Sequence, residues 1–518
     1  MEDHLNRNRR PYREETTHVE SHSQIPDTTP WDNDVETNSS QSRTGGFGNT
    51  NAKSHDIPIG GSSLEKIESQ HQGDVSQPVV EYGSTYKVLN RWQASLIYIT
   101  NQVGIGILSL PAALQTLGLV PGIICIIGMG ILVTYTAYVL LQFFRKYPTV
   151  LNCVDCFRII GGAPLAIIVG IAFVLNLILT CASAVLTMSI ALNSMSEHAL
   201  CTVLFILIPT LVSWILCFPR KMKFMADFGI LCTISIFAAV LIVMIALGVA
   251  EPNGAPPGWD KEIAIVGHPS FTQGFTAVLN IAFAFAGNQA FVTVMAEMKD
   301  PSADFMPSMY ILQAFAIPMY TVVGAVIYAL AGQFTTSPAL GTAPPVPSKV
   351  AYGLLLPTLL GTSLVFGHTS IKYIFVEVLR VLDAVDEYDR PTRRSWAIWL
   401  GTGTLFWLLS FVLANAIPLF DSILSVSSAL FVSWFTFGIS GVMWVYLNWG
   451  RQFGHGWKKT VVALLNWGII ALTLVMNGVG LWASIDQLVA AFNDPSIPVN
   501  SSFTCADNSI WRQLGIEA

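Results

Sequence analysis

Apolar residues run along this chain in blocks of roughly 20, the length that carries a helix across ~30 Å of hydrocarbon. Eleven such blocks, separated by polar loops, are placed at about 93–116, 119–144, 164–190, 201–218, 226–249, 271–297, 308–333, 350–380, 396–415, 423–449 and 460–487. Two of them are badly built for a continuous helix. The first, WQASLIYITNQVGIGILSLPAALQTL over 92–117, places polar Asn101 and Gln102 in its middle. Gly104 and Gly106 follow, each weakening a helix by roughly 1 kcal/mol relative to alanine. Pro111 then removes a backbone donor and biases Leu110 away from helical geometry. The sixth block is interrupted by Phe283-Ala-Phe285-Ala-Gly287-Asn288-Gln289. In hydrocarbon an unpaired backbone group costs several kcal/mol. Breaks at this depth therefore need protein or ligand groups to satisfy them. Two interrupted helices five spans apart predict an inverted 5+5 repeat plus an eleventh span, with a transport site between the breaks.

Composition supports the membrane reading. Of 518 residues only 12% are charged, and the mean hydropathy is +0.54. The expected architecture is an all-α polytopic membrane protein. The net charge of −6 adds little, because the acidic residues sit mostly in tails and loops. Residues 1–88 are polar without apolar periodicity and predict a disordered cytoplasmic tail. Their hydroxyls, with Lys53, Lys66 and Lys87, give a kinase or ubiquitin ligase places to act, and the Arg7, Arg9, Arg10, Arg13 cluster reads as a solvated tail. Residues 1–30 hold no apolar core, so the first span of the 89–488 membrane domain is expected to act as the insertion signal.

Lysine and arginine set the orientation. Alternate loops carry fourteen of them, from Arg145 and Lys146 to Lys458 and Lys459, whereas the intervening loops and the 489–518 tail carry Lys261, Lys349 and Arg512. This predicts a cytoplasmic N-terminus and an extracytoplasmic C-terminal tail. The sequon Asn500-Ser501-Ser502 in that tail is a candidate glycosylation site. Of the eight cysteines, Cys125, Cys181, Cys217 and Cys232 lie in apolar blocks, and Cys153 and Cys156 form a lone CxxC with no second pair or nearby histidine. The histidines are dispersed. No metal site, nucleophile constellation or cofactor motif is expected, which argues against a membrane enzyme.

The residues carry a resemblance. Asn101-Gln-Val-Gly104-Ile-Gly106-Ile-Leu-Ser-Leu-Pro111-Ala, Phe283-Ala-Phe-Ala-Gly287 running to Glu297-Met-Lys-Asp300-Pro301, and Pro219-Arg-Lys-Met-Lys223 resemble the amino acid/auxin permease family. Gly367-His-Thr-Ser-Ile-Lys372-Tyr-Ile-Phe-Val resembles the fungal neutral amino acid permeases of the methyltryptophan-resistance type. The resemblance covers roughly 88–488. It implies a LeuT-like fold and secondary active amino acid uptake, usually coupled to protons, with sodium the alternative ion. It also implies a multi-pass membrane protein; the subgroup resemblance and the sequon favour the plasma membrane, with a vacuolar amino acid transporter as the alternative. An amino acid sensor signalling through the N-terminal tail would show the same spans. The partners expected are an amino acid and the lipid bilayer, and no nucleic acid.

On this reading the substrate carboxylate meets backbone N–H groups around Gly104, Ile105 and Gly106, where a half-helix begins and its positive dipole end favours an anion. The amino group meets carbonyls freed near Phe283–Phe285 and beside Asn101. Phe283, Phe285 and Gly287 flank the second break, and Asn176 and Ser183 on span three are candidate wall residues. No Asp or Glu lies in the middle of spans one, three, six or eight, so neutral aliphatic or aromatic substrates are expected. Candidates for ion coupling are Thr369 and Ser370 as oxygen donors, and His368, Lys372 and Glu297 as titratable groups.

Overall fold

The computed structural model describes residues 89–220, 223–384, 387–388, 392–453, 456–493 and 502–513. The expected disordered tail at 1–88, with its candidate modification sites, and the sequon at Asn500 lie outside the described residues. Within them the chain is helical, and the one isolated bridge pairs Leu89 with Met298. Among the described residues, nine helices are long and apolar enough to cross a membrane. To these are added one pair bent by 43° and a shorter apolar helix, Thr202–Leu216.

Span one is divided into Arg91–Gln102, a 3-10 segment Ile105–Ser109, and Leu110–Leu117. Spans two to five are Leu119–Lys146, Cys153–Ser196, Thr202–Leu216 and Lys223–Val249. Span six is split into Phe271–Ala284 and Asn288–Glu297. Spans seven, eight and nine are Pro301–Ala331, Pro345–Val381 and Arg393–Ala416. Span ten runs over Phe420–Leu447 with a π-helical middle at Ser428–Gly438, and span eleven over Trp457–Asn493 with a π-turn at Met476–Gly480.

Both interrupted spans start from the same local chemistry. Asn90 accepts from the Gln93 backbone N–H while the Gln93 side chain accepts from the Asn90 N–H, at 3.0 and 3.2 Å. Ser270 and Gln273 repeat this reciprocal cap at span six. Each cap satisfies two of the donors a helix start leaves free. The first half-helices end at Gln102 and Ala284. Pro111 does not cause the first break. Leu110 is helical, and Pro111 falls in the first turn of the second half-helix, where its missing N–H costs nothing. The break lies upstream, at Val103 and Gly104, neither of which has helical dihedrals.

Span three begins at Cys153, earlier than the apolar pattern alone places it. Asn152 caps it by accepting from the Asp155 N–H at 2.9 Å. Gly161 and Gly162 then leave helical geometry, Gly162 with φ +70°, just before Pro164. An L-residue side chain would be strained at that φ. The apolar block starts afresh after this kink.

Hydrogen bonds gather the loops onto two faces. On one, the tail face, Gly267 N–H donates to Leu117 O, Asn253 N–H to Thr342 O, and Phe503 N–H to Asn415 O. This face also carries the Cys201–Cys505 disulfide. On the other, the basic face, Arg145 reaches Ser302 O, Arg158 pairs with Glu377, and the Trp399 indole donates to Phe218 O.

Candidate functional site

The two breaks meet in the middle of the bundle. Gly106 lies directly against span six, so close that a Cβ there would stand 2.4 Å from Ala284 Cα and 2.9 Å from Ala284 N. Glycine is required here because backbone packs on backbone. Beside this contact is a narrow cavity. Span one supplies Asn101, Gln102, Gly104, Ile105 and Gly106, and span six supplies Phe283, Ala286 and Gln289. Thr180 from span three closes one side, and Thr362 and Phe366 from span eight close the other.

The polar groups of this wall are carboxamides and hydroxyls, and none is ionisable. Several have protein partners. Asn101 Nδ2 is 3.4 Å from Gly287 O, Thr180 Oγ1 donates to Asn176 O, and Thr362 Oγ1 donates to Thr358 O. The Gln289 side chain accepts from the Asn176 amide. Gln102 differs. Both polar atoms of its buried side chain lack a protein hydrogen-bond partner, as does Asn101 Oδ1. A buried polar group without a partner costs about 1–3 kcal/mol. An orphaned carboxamide in a cavity wall is therefore poised for a ligand that both donates and accepts.

Tyr320 of span seven ties the breaks together. Its hydroxyl lies 2.9 Å from the Gln102 carbonyl and 2.8 Å from the Ala284 carbonyl, the last residues of the two first half-helices. One phenolic proton thus serves both freed ends. Asn288, at the start of the second half-helix of span six, donates to Thr136 Oγ1 and to Thr436 O, both at 2.8 Å. Thr436 belongs to the π-helical part of span ten, a distortion frequent at functional sites. Toward the tail face, Asp421 of span ten accepts from Ser337 at 2.7 Å and from Asn280 at 3.3 Å.

The residues singled out from the sequence separate into three groups. Asn101, Gly104, Ile105, Gly106 and Phe283 form the cavity wall. Phe285, Gly287, Asn176 and Ser183 stand just behind it. Phe285 packs edge-on against Tyr320 with ring centroids 5.1 Å apart. A Cβ on Gly287 would meet Gln102 Oε1 at 3.0 Å, Asn176 holds Gln289, and Ser183 donates to Thr180 O. The ion-coupling candidates lie elsewhere. His368 Nε2 is 3.0 Å from Pro219 O, with the ring edge-on to Trp399. Thr369 bonds its own helix at Val365 O, and buried Ser370 Oγ has no protein partner. The Glu297 carboxylate lies in the field of Lys372, at the end of span six nearest the basic face. None of these five lines the cavity.

Gln102, Thr180, Ala286, Gln289, Thr362, Phe366, Tyr320 and Asp421 are functional candidates that the structure adds. Gln102 and Gln289 had a readable signal, since both are polar residues inside the interrupted blocks. The Cys201–Cys505 bridge, 304 residues apart in sequence, had none.

Three likenesses to known proteins accord with this geometry. Residues 87–486 match the family described as transmembrane amino acid transporter protein. The chain is 31% identical over 457 residues to the N amino acid transport system protein of Neurospora crassa, covering 86% of this chain and 93% of that protein. Among solved structures, a manganese transporter of Eremococcus coleocola, crystallised with an aromatic bis-isothiourea substituted compound, superposes with a TM-score of 0.50 at 15% identity. That match covers 80% of this chain and 92% of the other, and shows the fold alone.

Proposed function

From the premise that this chain belongs to the transmembrane amino acid transporter family and has a LeuT-like fold, we propose that it is a proton-coupled secondary transporter importing neutral amino acids across the plasma membrane. The observation that carries the substrate class is the uncharged cavity between the two breaks, with the orphaned Gln102 carboxamide in its wall. A cationic side chain would need a buried counter-charge, and a charge in the membrane without one is expensive. The apolar part of the wall, Ile105, Phe283, Ala286 and Phe366, suits the aliphatic or aromatic part of a neutral substrate. The substrate carboxylate sits at the backbone between Gly104 and Gly106, where glycine admits close approach. Gln102 bonds the zwitterion. The amino acid transport named in the Neurospora crassa relative agrees with this reading.

The tail face is the extracytoplasmic one. Arg145, Arg158 and Arg380 make their contacts on the opposite side. The Cys201–Cys505 disulfide belongs to an oxidising compartment, whereas Cys153 and Cys156 near the basic face remain thiols. Protons are the coupling ion, with Glu297, Lys372 and His368 on the cytoplasmic half as the groups to carry the charge change.

Uptake in cells lacking their own permeases tests this. Radiolabelled leucine and phenylalanine should enter, faster at external pH 5 than pH 7 and without need of sodium. Lysine should enter at under about a tenth of the leucine rate, the discrimination expected of a missing counter-charge. Gln102→Leu should raise the leucine KM about tenfold, as loss of one ligand hydrogen bond predicts. Lysine uptake equal to leucine uptake would overturn the substrate class. Sodium dependence, or indifference to pH, would overturn the coupling.

A further inference from the structure

The C-terminal segment 502–513 folds back over the tail face and is fastened at many points. Cys505 is bonded to Cys201 at the start of span four. Thr202 Oγ1 donates to Ala506 O at 2.6 Å, and Asn508 Nδ2 to Ser189 Oγ at 3.3 Å. Ser194 of span three accepts from the Trp511 indole at 2.8 Å through its carbonyl, and from the Ile510 N–H at 3.2 Å through its hydroxyl. Ile510 and Trp511 are buried. At the other end Ser502 donates to Ala416 O at 2.9 Å.

What this segment presses on is the 3-10 turn Ala339–Thr342, between spans seven and eight. A Cβ on Gly341 would fall 2.0 Å from Ile510 Cγ1, 2.5 Å from Cδ1 and 3.0 Å from Cβ, so the Ile510 side chain lies flush on the turn. The turn in turn packs on Ile105–Ser109 and Leu110–Leu117, the part of span one that begins at the cavity wall. All four residues of the turn are buried. It is further held by Asn253, which donates to Gly341 O and Thr342 O, and through Ser337 by Asp421.

We propose that the 502–513 segment is a strap that clamps the Ala339–Thr342 turn onto the first interrupted span, and so sets how readily the tail-face end of the cavity opens. The turn is a lid with an abutment. It cannot lift away from span one without displacing Ile510, and Ile510 is anchored to spans three and four by Ser194, Trp511 and the disulfide. The inference concerns the motion of the lid and does not require the substrate assignment above.

The contact between Gly341 and Ile510 allows a reciprocal test on the full-length protein purified in detergent, where both faces are accessible. Leu340→Cys places a thiol on the buried lid, and its rate of reaction with a maleimide reports lid opening. In that background Ile510→Ala should speed labelling at least about fivefold, and Gly341→Ala, by forcing the strap off, should do the same. Combined, they should return the rate to within about twofold of the parent, because the alanine methyl fills the space the isoleucine vacates. Strictly additive effects, or unchanged labelling in Ile510→Ala, would overturn the strap. Should Gly341→Ala fail to fold, Ile510→Ala alone decides: faster labelling below the onset of unfolding sustains the strap, and a lower unfolding temperature without faster labelling refutes it.

Discussion

Gly106→Ala will reduce uptake by at least about 100-fold in protein that still reaches the membrane, a loss of ~2.7 kcal/mol in rate terms. The cause is a single methyl group. At 2.4 Å from Ala284 Cα it cannot be accommodated by rotating a side chain, because its neighbour is backbone. Overpacking a dense interior costs about 1–3 kcal/mol even where side chains can give way. Here relief requires separating the two breaks, and with them the cavity wall. Gly104 gives the graded comparison. A Cβ there meets Thr362 Oγ1 at 3.1 Å, the end of one side chain. Gly104→Ala should cost about tenfold, and Thr362→Ala added to it should recover most of that loss. Gly128 of span two is the control, since a methyl added there would meet nothing within 4 Å, and uptake should be unchanged. Normal uptake by Gly106→Ala would remove the contact between the breaks from the mechanism.

Tyr320→Phe is expected to lower the uptake rate by about tenfold or more, with a smaller change in KM. The hydroxyl is the donor shared by the Gln102 and Ala284 carbonyls, and an unsatisfied buried acceptor costs about 1–3 kcal/mol. The ring is retained, so the edge-on packing on Phe285 persists and the loss reports the hydrogen bond. Tyr98→Phe is the matched control. Its hydroxyl reaches Phe291 O only at 3.5 Å, and its loss should change uptake by less than about threefold. Initial-rate kinetics on both variants at equal surface abundance decide the matter. Equal effects from the two would show that span seven does not hold the breaks in register.

Much of this was legible in the chain for a definite reason. A bilayer forces a spanning segment to announce itself as ~20 apolar residues, so the long spans could be read from the sequence, and among the described residues nine helices and the bent pair of span one meet that requirement. The same constraint makes a break conspicuous. Gly104, Gly106 and the 283–289 stretch stand out because hydrocarbon penalises them, and they do line or adjoin the cavity. The apolar pattern starts span three late because the Gly161-Gly162-Pro164 kink looks like a loop in one dimension. Span eight carries titratable groups, yet His368 is engaged by Pro219 and Trp399, away from the cavity. Which face of a buried helix a residue occupies is not written in a segment that is apolar nearly all round.

The sequence by itself therefore determined the membrane class and the two interrupted helices, since each follows from local composition against a fixed hydrocarbon thickness. Tertiary structure alone decided which side chains complete the site. Tyr320 reaches two carbonyls 218 and 36 positions away, Thr362 opposes Gly104 from span eight, and Ile510 lands on Gly341. Such pairings depend on how helices rotate and cross when packed, and close packing rather than local propensity fixes that geometry.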